Sequence, residues 1–354
     1  RDPDYDRHVK FLRDLDMELV ENPFPAPCHA GRMGMVGDTL RGLGQAARVL
    51  RAARRSPAGP WPALAGTPWA QTLETLAQTD LGVVKGGATL YDHGGFRGHL
   101  ACVRQAYPLY LLRALGKPIV SFGQTIGPAR GPLGRYLLRR SLDPQKRLYV
   151  REEISAVLVK ELGCSVECVL MPDPAFYLYG SAPPGPGAAP GPAIRLGVTA
   201  RPVSRDRRAQ SRFEATLAEA IDRFCAGRAV DVLFLPQVTT PRLFDDDRPV
   251  NRRICERLTR CRHKEVLGSE PTVPEIMAQY SRLDLLLATR LHSAILSIVS
   301  DTPATVIDYH GHKARGVFRM VGLESLVHTM KTLDPARLAD SLERLLSTRG
   351  DIRR

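Results

Sequence analysis

Short apolar runs alternate with stretches that have apolar positions at helical spacing along most of this 354-residue chain. In the first half, the apolar runs predict strands at residues 81–84, 118–122 and 148–150. Helical spacing predicts helices at residues 40–54, 67–77, 100–115 and 153–162. Because consecutive parallel strands need a crossover connection, usually a helix, this alternation predicts a parallel sheet and an α/β fold.

The same alternation starts again after a segment, residues 180–193, that is rich in proline and glycine. Such a segment can neither form a helix nor pack a core, so it predicts a linker between domains at 1–179 and 194–354. In the second domain the pattern predicts strands at residues 195–199, 230–235, 283–287 and 304–307. It predicts helices at residues 213–224, 251–260, 273–281 and 291–299. We therefore expect two Rossmann-like parallel-sheet domains that face each other across a cleft.

Limited proteolysis is expected to cut the chain first within residues 180–193. Nine of these fourteen residues are proline or glycine and none is large and apolar, which is typical of an exposed connection. Mass spectrometry of the first fragments identifies the cut. Early cleavage elsewhere, with this segment intact, would reject the predicted domain boundary.

The overall composition is that of a basic globular protein. Hydrophobic residues make up 44% of the chain and charged residues 25%, which is too apolar for a disordered protein. The net charge of +13 predicts attraction to phosphates on metabolites, anionic lipids or nucleic acids. No basic stripe interleaved with aromatic residues accompanies the charge, so nucleic acid is not the expected partner.

The sequence predicts a cytoplasmic protein, and the charge adds the expectation of peripheral contact with the inner face of an anionic membrane. The longest apolar runs, at 283–288 and 294–299, are far shorter than the roughly 20 residues that cross a bilayer. Residues 1–20 have neither the apolar core nor the cleavage site of a secretory signal. Seven cysteines without a CxxC pair argue against a disulfide framework.

The strongest chemical signal is the segment Thr289–Ser293, where a predicted strand ends and a predicted helix begins. Free N–H groups and the positive end of the helix dipole bind anions at such a point, and Arg290 adds a bidentate fork. His292 could exchange protons with the bound anion. Alternatively Arg290 forms a surface salt bridge and His292 caps or packs, and the local sequence leaves both interpretations open.

Two further cations follow predicted strands. Lys313 comes shortly after the strand at 304–307, so it lies at the same sheet edge as Arg290 and could reach a phosphate there. Arg151 ends the strand at 148–150 in the first domain, where it would face the second domain across the cleft. Most exposed arginines only interact with solvent, so Arg151 by itself carries little weight.

Two groups of residues suggest metal ligands without completing a site. His310 and His312 have no third partner in the sequence nearby, which favours a solvated loop. Cys255, Cys261 and His263 lie close together, but their spacing is irregular and favours ordinary thiols. The sequence therefore predicts no metal site.

Four segments, taken in order and with their spacing, resemble the polysaccharide pyruvyl transferase family. They are Gly123–Pro128, Val150–Glu152 with Ser155, Met171–Phe176 and Thr289–Ser293. Gly86 and Gly87 fall where that family has its glycine turn, and Lys313 falls where it has a late lysine. The resemblance covers roughly residues 75 to 330.

The resemblance implies a fold like that of the B-type glycosyltransferases and the transfer of pyruvate from phosphoenolpyruvate to sugar hydroxyls as a ketal. It implies that phosphoenolpyruvate is the donor, that a sugar or lipid-linked glycan is the acceptor, and that no cofactor or metal is needed. By position, Arg151, Arg290 and Lys313 would hold the donor, and His292 would be the acid and base. Leu291, Gly86, Gly87 and Gln124 are further substrate-binding candidates.

The chain departs from the family at its start, because nothing before Asp38 supplies the usual first strand and its polar loop. An N-terminal strand is therefore expected to be missing. A sugar-nucleotide-dependent glycosyltransferase of the same architecture is the main alternative, since the same cations would hold a diphosphate. A basic binding protein for an anionic glycan or nucleic acid is the non-enzymatic alternative.

Overall fold

The computed structural model describes residues 20, 22–24, 32–181, 193–239, 245–268, 271–309 and 313–347. The chain divides into two compact units, one ending at Asp173 and the other beginning at Pro174. Each unit has its own parallel sheet, so the predicted α/β class with two parallel-sheet domains is confirmed. The expectation of a missing N-terminal strand concerns residues that mostly lie outside the described ranges.

The first unit is a parallel sheet with helices between its strands. Its strands are β1 (Gly82–Val84), β2 (Gly87–Asp92), β3 (Ile119–Ala129), β4 (Arg147–Val150) and β5 (Glu167–Leu170). Its helices are α1 (Arg32–Arg55), α2 (Pro68–Gln78), α3 (Gly95–Ala114), α4 (Gly131–Leu142) and α5 (Glu153–Glu161). The sheet order is β1-β3-β4-β5, and β2 pairs with the second part of β3. Leu90, Ile126 and Leu148 are buried in its core.

The strand β3 is longer than the strand that the sequence predicts at 118–122. The glycines and proline of 123–128 predict a turn, yet β3 continues through them to Ala129. Ile126 pairs with Leu90 of β2, and the register shifts nearby accommodate the irregular residues. Pairing with β2 and burial of both side chains thus outweigh the local turn preference.

The second unit has the strand order of a doubly wound sheet. Its strands are β6 (Ile194–Thr199), β7 (Val230–Phe234), β8 (His263–Val266), β9 (Leu285–Ala288), β10 (Ala304–Asp308) and β11 (Val327–Thr329). Its helices are α6 (Arg207–Cys225), α7 (Arg248–Arg257), α8 (Val273–Tyr280), α9 (Leu291–Val299), α10 (Lys313–Met320) and α11 (Pro335–Ser347). The order is β11-β10-β9-β6-β7-β8, all parallel. The direction of winding reverses between β6 and β9, which is where ligands bind in such sheets.

The boundary between the units lies just before a short 3₁₀ helix, Pro174–Leu178. Ala175, Phe176 and Leu178 pack against the core that β9 and α9 form in the second unit. The units therefore divide a few residues before 179, where the sequence predicts the end of the first domain. Residues 182–192 lie outside the described residues, so the flexible linker stays a prediction.

None of the helices in the described ranges combines the length and the apolar character needed to cross a membrane.

Candidate functional site

The segment after β9 lies at the point where the winding of the second sheet reverses. The backbone N–H of Thr289 donates to the carbonyl of Thr199 at the end of β6, at 2.8 Å. The Thr289 hydroxyl in turn accepts a hydrogen bond from the N–H of Arg201, at 2.9 Å. These bonds fix the carboxyl ends of β6 and β9 side by side, so that Arg290 follows directly at the edge where sheets of this kind commonly bind ligands.

A cavity of 480 Å³ opens at this edge, and the predicted site residues of the second unit meet in it. Arg290 is the N-cap of α9, and Lys313 begins α10. The cavity is lined by Arg290, Leu291, His292, Tyr309 and Lys313 among others. The structure thus brings together the four residues of this unit that the sequence selects.

Arg290 forms a buried ion pair at the wall of the cavity rather than a surface salt bridge. Its side chain is 11% exposed, and its Nη2 lies 2.6 Å from Oδ1 of the fully buried Asp247 and 3.1 Å from Oδ1 of Asp245. Burial by itself would lower the pKa of Arg290, but the hydrogen bond and charge of Asp247 raise it. The guanidinium is therefore held protonated and in a fixed orientation.

Asp247 is a site residue that sequence reasoning missed. Its Oδ2 accepts the backbone N–H groups of Gln237 and Val238, at 3.1 and 3.0 Å, in addition to the bonds from Arg290. Burial raises the pKa of the Asp247 carboxyl, and the hydrogen bonds from Arg290 oppose that rise. The sequence held one signal, because residues 245–247 are three consecutive aspartates in a strongly basic chain.

Arg201 is a second arginine that the sequence did not select. Its Nη2 donates to Oδ1 of Asp245 at 2.7 Å, and its guanidinium lies 4.2 Å from the centre of the Tyr309 ring, whose hydroxyl accepts from Nη1. Asp245 therefore joins Arg201 to Arg290. Two arginines supported by carboxylates at one sheet edge form an arrangement suited to a multiply charged anion.

His292 lies one residue beyond the start of α9 and is exposed. The N-cap of this helix is Arg290, so His292 is not its capping residue. Next to it, the Ser293 hydroxyl donates to Oε1 of Gln237 at 2.5 Å, which ties the first turn of the helix to the loop after β7. His292 is thus an accessible imidazole on a fixed first turn.

The predicted residues Gly86, Gly87 and Gln124 of the first unit lie together where β1 is followed by β2. The buried Gln124 amide donates to the carbonyl of Lys85, and its oxygen accepts from the Thr89 hydroxyl at 3.3 Å. A Cβ at Gly86 would lie 3.2 Å from the carbonyl oxygen of Gly123, so only glycine fits there without a shift. Gln124 therefore supports the turn, and substrate binding by these three residues stays a prediction.

Arg151 is not the exposed cation that the sequence predicts, since its side chain is only 1% exposed. Its Nη1 lies 2.5 Å from Oδ2 of Asp173, and its Nε donates to the Thr125 hydroxyl at 2.9 Å. The buried charge is compensated because two carboxylates, Asp173 and Glu152, lie within 4 Å of the guanidinium. Among the described residues its Nη2 has no hydrogen-bond partner, and its predicted role as a donor ligand stays a prediction.

The metal-ligand candidates have ordinary surroundings where the structure describes them. Cys255 and Cys261 are free thiols that pack against the apolar core of the second unit, and burial raises the pKa of each. No group of three or more His, Cys, Asp or Glu side chains in the described ranges is placed to hold a metal. His310 and His312 lie outside those ranges.

Comparison with known families and structures bears on the fold and the family of this chain. Two parallel-sheet α/β units of this kind define a class that includes the B-type glycosyltransferases and their relatives. Residues 39–311 match the model of the polysaccharide pyruvyl transferase family. The chain belongs to this family.

A curated relative is the amylovoran biosynthesis protein AmsJ of Erwinia amylovora, to which the chain is 24% identical over 233 residues. That match covers 61% of this chain and 55% of the relative, so the chain spans about half of its length.

Two solved structures share the fold of B-type glycosyltransferases with this chain. One is a putative UDP-N-acetylglucosamine 2-epimerase from Listeria monocytogenes, with a TM-score of 0.55 and 10% identity over 98% of this chain and 79% of that one. The other is the UDP-GlcNAc 2-epimerase of Methanocaldococcus jannaschii in complex with UDP-GlcNAc and UDP, with a TM-score of 0.50 and 11% identity over 95% and 80%. At these identities the likeness concerns the fold alone.

Proposed function

We propose that this protein transfers a pyruvyl group from phosphoenolpyruvate to two hydroxyls of a sugar in a polysaccharide or glycolipid precursor, forming a pyruvate ketal. Family membership gives the coarser statement, a transferase that acts on polysaccharide. One observation carries the proposal of the donor: Arg290, His292 and Lys313 line a single cavity at the carboxyl edge of the second sheet.

The charges at this cavity suit the proposed donor. Phosphoenolpyruvate carries about three negative charges near neutral pH, divided between a carboxylate and a phosphate. Arg290 offers the Nη1 side of its guanidinium to one of these groups, since its Nε and Nη2 donate to Asp247 and Asp245. Lys313 and the first turn of α9 offer a point charge and backbone N–H groups for the other. Because Arg290 is fixed by the buried Asp247, little side-chain entropy is lost when the donor binds.

The reaction needs an acid at the methylene carbon of the donor, and His292 is the proposed acid. Protonation of that carbon makes C2 electrophilic, and an acceptor hydroxyl attacks C2 while its proton returns to His292. A second hydroxyl then closes the ketal at C2 as phosphate leaves with the second hydroxyl proton. The cations that hold phosphate stabilise the negative charge that develops on the leaving group.

We expect the reaction to run without a metal or cofactor and to take place in the cytoplasm, where phosphoenolpyruvate is made and thiols stay reduced. The described cysteines Cys102, Cys164, Cys168, Cys225, Cys255 and Cys261 are all free thiols, in keeping with that compartment. The acceptor sugar, free or lipid-linked, would have to offer two hydroxyls close enough to share one ketal carbon.

Phosphoenolpyruvate is expected to raise the melting temperature of the protein, and inorganic phosphate to raise it less. A ligand that binds only the folded state stabilises it by about 2.7 kcal/mol at a hundred times its Kd. Arg290→Lys is the matched control, since it keeps the charge but loses the fork and should show a smaller shift. No shift with millimolar donor in a folded sample would contradict the proposed donor site.

A turnover assay separates the proposed function from the glycosyltransferase alternative. The protein is incubated with phosphoenolpyruvate and a panel of hexosides, and phosphate release and product mass are followed. The expected product is a hexoside that has gained one pyruvate ketal. Stabilisation by a nucleotide-diphosphate sugar, without any response to phosphoenolpyruvate, would instead favour a sugar-nucleotide-dependent glycosyltransferase.

A further inference from the structure

A large groove lies in the first unit between helices α1, α3 and α4. It has a volume of 760 Å³, and its walls are mainly apolar, with Leu43, Leu50 and Tyr107 among the lining residues. Three exposed arginines, Arg54, Arg113 and Arg140, also line it, one from each helix. The groove therefore combines apolar walls with a rim of positive charge.

None of these three arginines has an ion pair with an acidic side chain in the part of the chain that the structure describes. This contrasts with Arg147 and Arg139 in the same unit, which pair with Glu167 and Asp143. Helix α1 adds further charge, because its sequence contains six arginines and a single aspartate. The field around the groove is thus strongly positive and lacks local neutralisation.

Exposed apolar side chains extend the groove along two of its helices. Val36 and Leu40 of α1 are exposed, and they share a helix face with Leu43 and Leu50, since these positions are three, four and seven residues apart. On α4, Leu133 and Tyr136 are exposed as well. Exposed apolar residues that continue a basic groove mark an interaction surface.

We infer that the surface formed by α1, α3 and α4 seats this protein on an anionic phospholipid bilayer. An amphipathic helix with arginines beside an apolar face lies in the interface of such a bilayer. Its apolar side chains enter the boundary with the acyl chains, while its arginines contact lipid phosphates. A second copy of this chain fits less well, because two such basic surfaces would repel each other.

The choice of an anionic bilayer as the partner follows from the chemistry of this surface and not from the donor site. Apolar side chains such as Leu40 add no binding energy with free phosphate or with a nucleic-acid backbone. Arginines such as Arg113 add none with a neutral apolar partner. Only an anionic amphiphilic surface uses both. The inference therefore holds or fails independently of phosphoenolpyruvate.

Vesicle flotation of the full chain tests the inference. Vesicles of equal parts phosphatidylglycerol and phosphatidylcholine are expected to carry the protein, and pure phosphatidylcholine vesicles are not. The combined variant Arg54→Gln, Arg113→Gln and Arg140→Gln should lower partitioning about a hundredfold, at about fivefold for each arginine near the surface. Val36→Ser with Leu40→Ser should weaken binding without changing its dependence on salt.

The matched control is the combined variant Arg207→Gln, Arg208→Gln and Arg212→Gln, which removes the same charge from exposed positions on α6 of the second unit. It should partition nearly as the original chain does. Equal weakening by both triple variants would overturn the proposed surface, as would equal binding to neutral vesicles. Self-association that the groove variant abolishes, seen by analytical ultracentrifugation without vesicle binding, would assign the surface to a second copy. Circular dichroism confirms that each variant is folded.

Discussion

Replacing His292 with asparagine is expected to lower turnover by about 10²- to 10⁴-fold while leaving phosphoenolpyruvate binding nearly unchanged. Loss of a general acid lowers the rate by a factor of this order, because the methylene carbon can then be protonated only by solvent. His292 is exposed on the first turn of α9, so the substitution should not unfold the protein. Donor binding is measured by thermal shift and turnover by phosphate release.

The variant Arg290→Ala serves as the comparison for His292→Asn. Removal of a cation that forms a hydrogen-bonded charge pair with a ligand commonly costs about 2 to 5 kcal/mol, or roughly 30-fold or more in affinity. This variant should therefore lose donor binding first, whereas His292→Asn should lose chemistry first. Near-normal turnover of His292→Asn would show that the histidine is not the acid, and the acid would then be sought among His310, His312 and His93.

Replacing Asp247 with asparagine is expected to destabilise the protein by about 3 kcal/mol or more and to weaken donor binding. Asp247 is fully buried and accepts bonds from Arg290 and two backbone N–H groups. Asparagine carries no charge, so Arg290 loses its buried charged partner. Removing one partner of a buried ion pair destabilises a protein more than replacing both partners by apolar residues. Chemical denaturation gives the free energy of unfolding, and the thermal shift with phosphoenolpyruvate reports on the site.

Asp245→Asn is the matched control because it changes the same kind of residue in the same loop. The Asp245 side chain is 51% exposed, so its pairs with Arg201 and Arg290 should each be worth no more than about 1 kcal/mol. A large difference between the two variants is therefore expected. Equal and small losses in both would contradict a positioning role for Asp247.

The sequence was most informative where local signals agree with each other. The strand that ends before Arg290, the helix that starts at Leu291 and the late Lys313 are all found as expected. These elements could be predicted because the pattern of apolar residues within a short segment indicates a buried strand or an apolar helix face. Edge strand β8, by contrast, was missed because His263–Val266 is mostly charged and exposed.

Contacts between residues far apart in the chain could not be predicted in this way. Asp247 and Arg290 are 43 residues apart, and the N–H of Arg201 bonds to Thr289 across 88 residues. Arg151 shows the same limit, since the sequence places it correctly at a strand end but gives no sign that Asp173 buries it. Whether a charged side chain meets solvent or a partner depends on which loops the sheet brings together.

The sequence by itself therefore determined the α/β class, the division into two parallel-sheet units and the edge of the second sheet at which Arg290, Leu291, His292 and Lys313 lie. Only the tertiary structure decided that β3 continues through Gly127, that Arg290 is held by Asp247, and that Arg151 is buried. The physical reason is the range of the interactions. Periodicity and helix ends are set by residues a few positions apart, whereas strand pairing and buried ion pairs depend on segments that meet only when the chain folds.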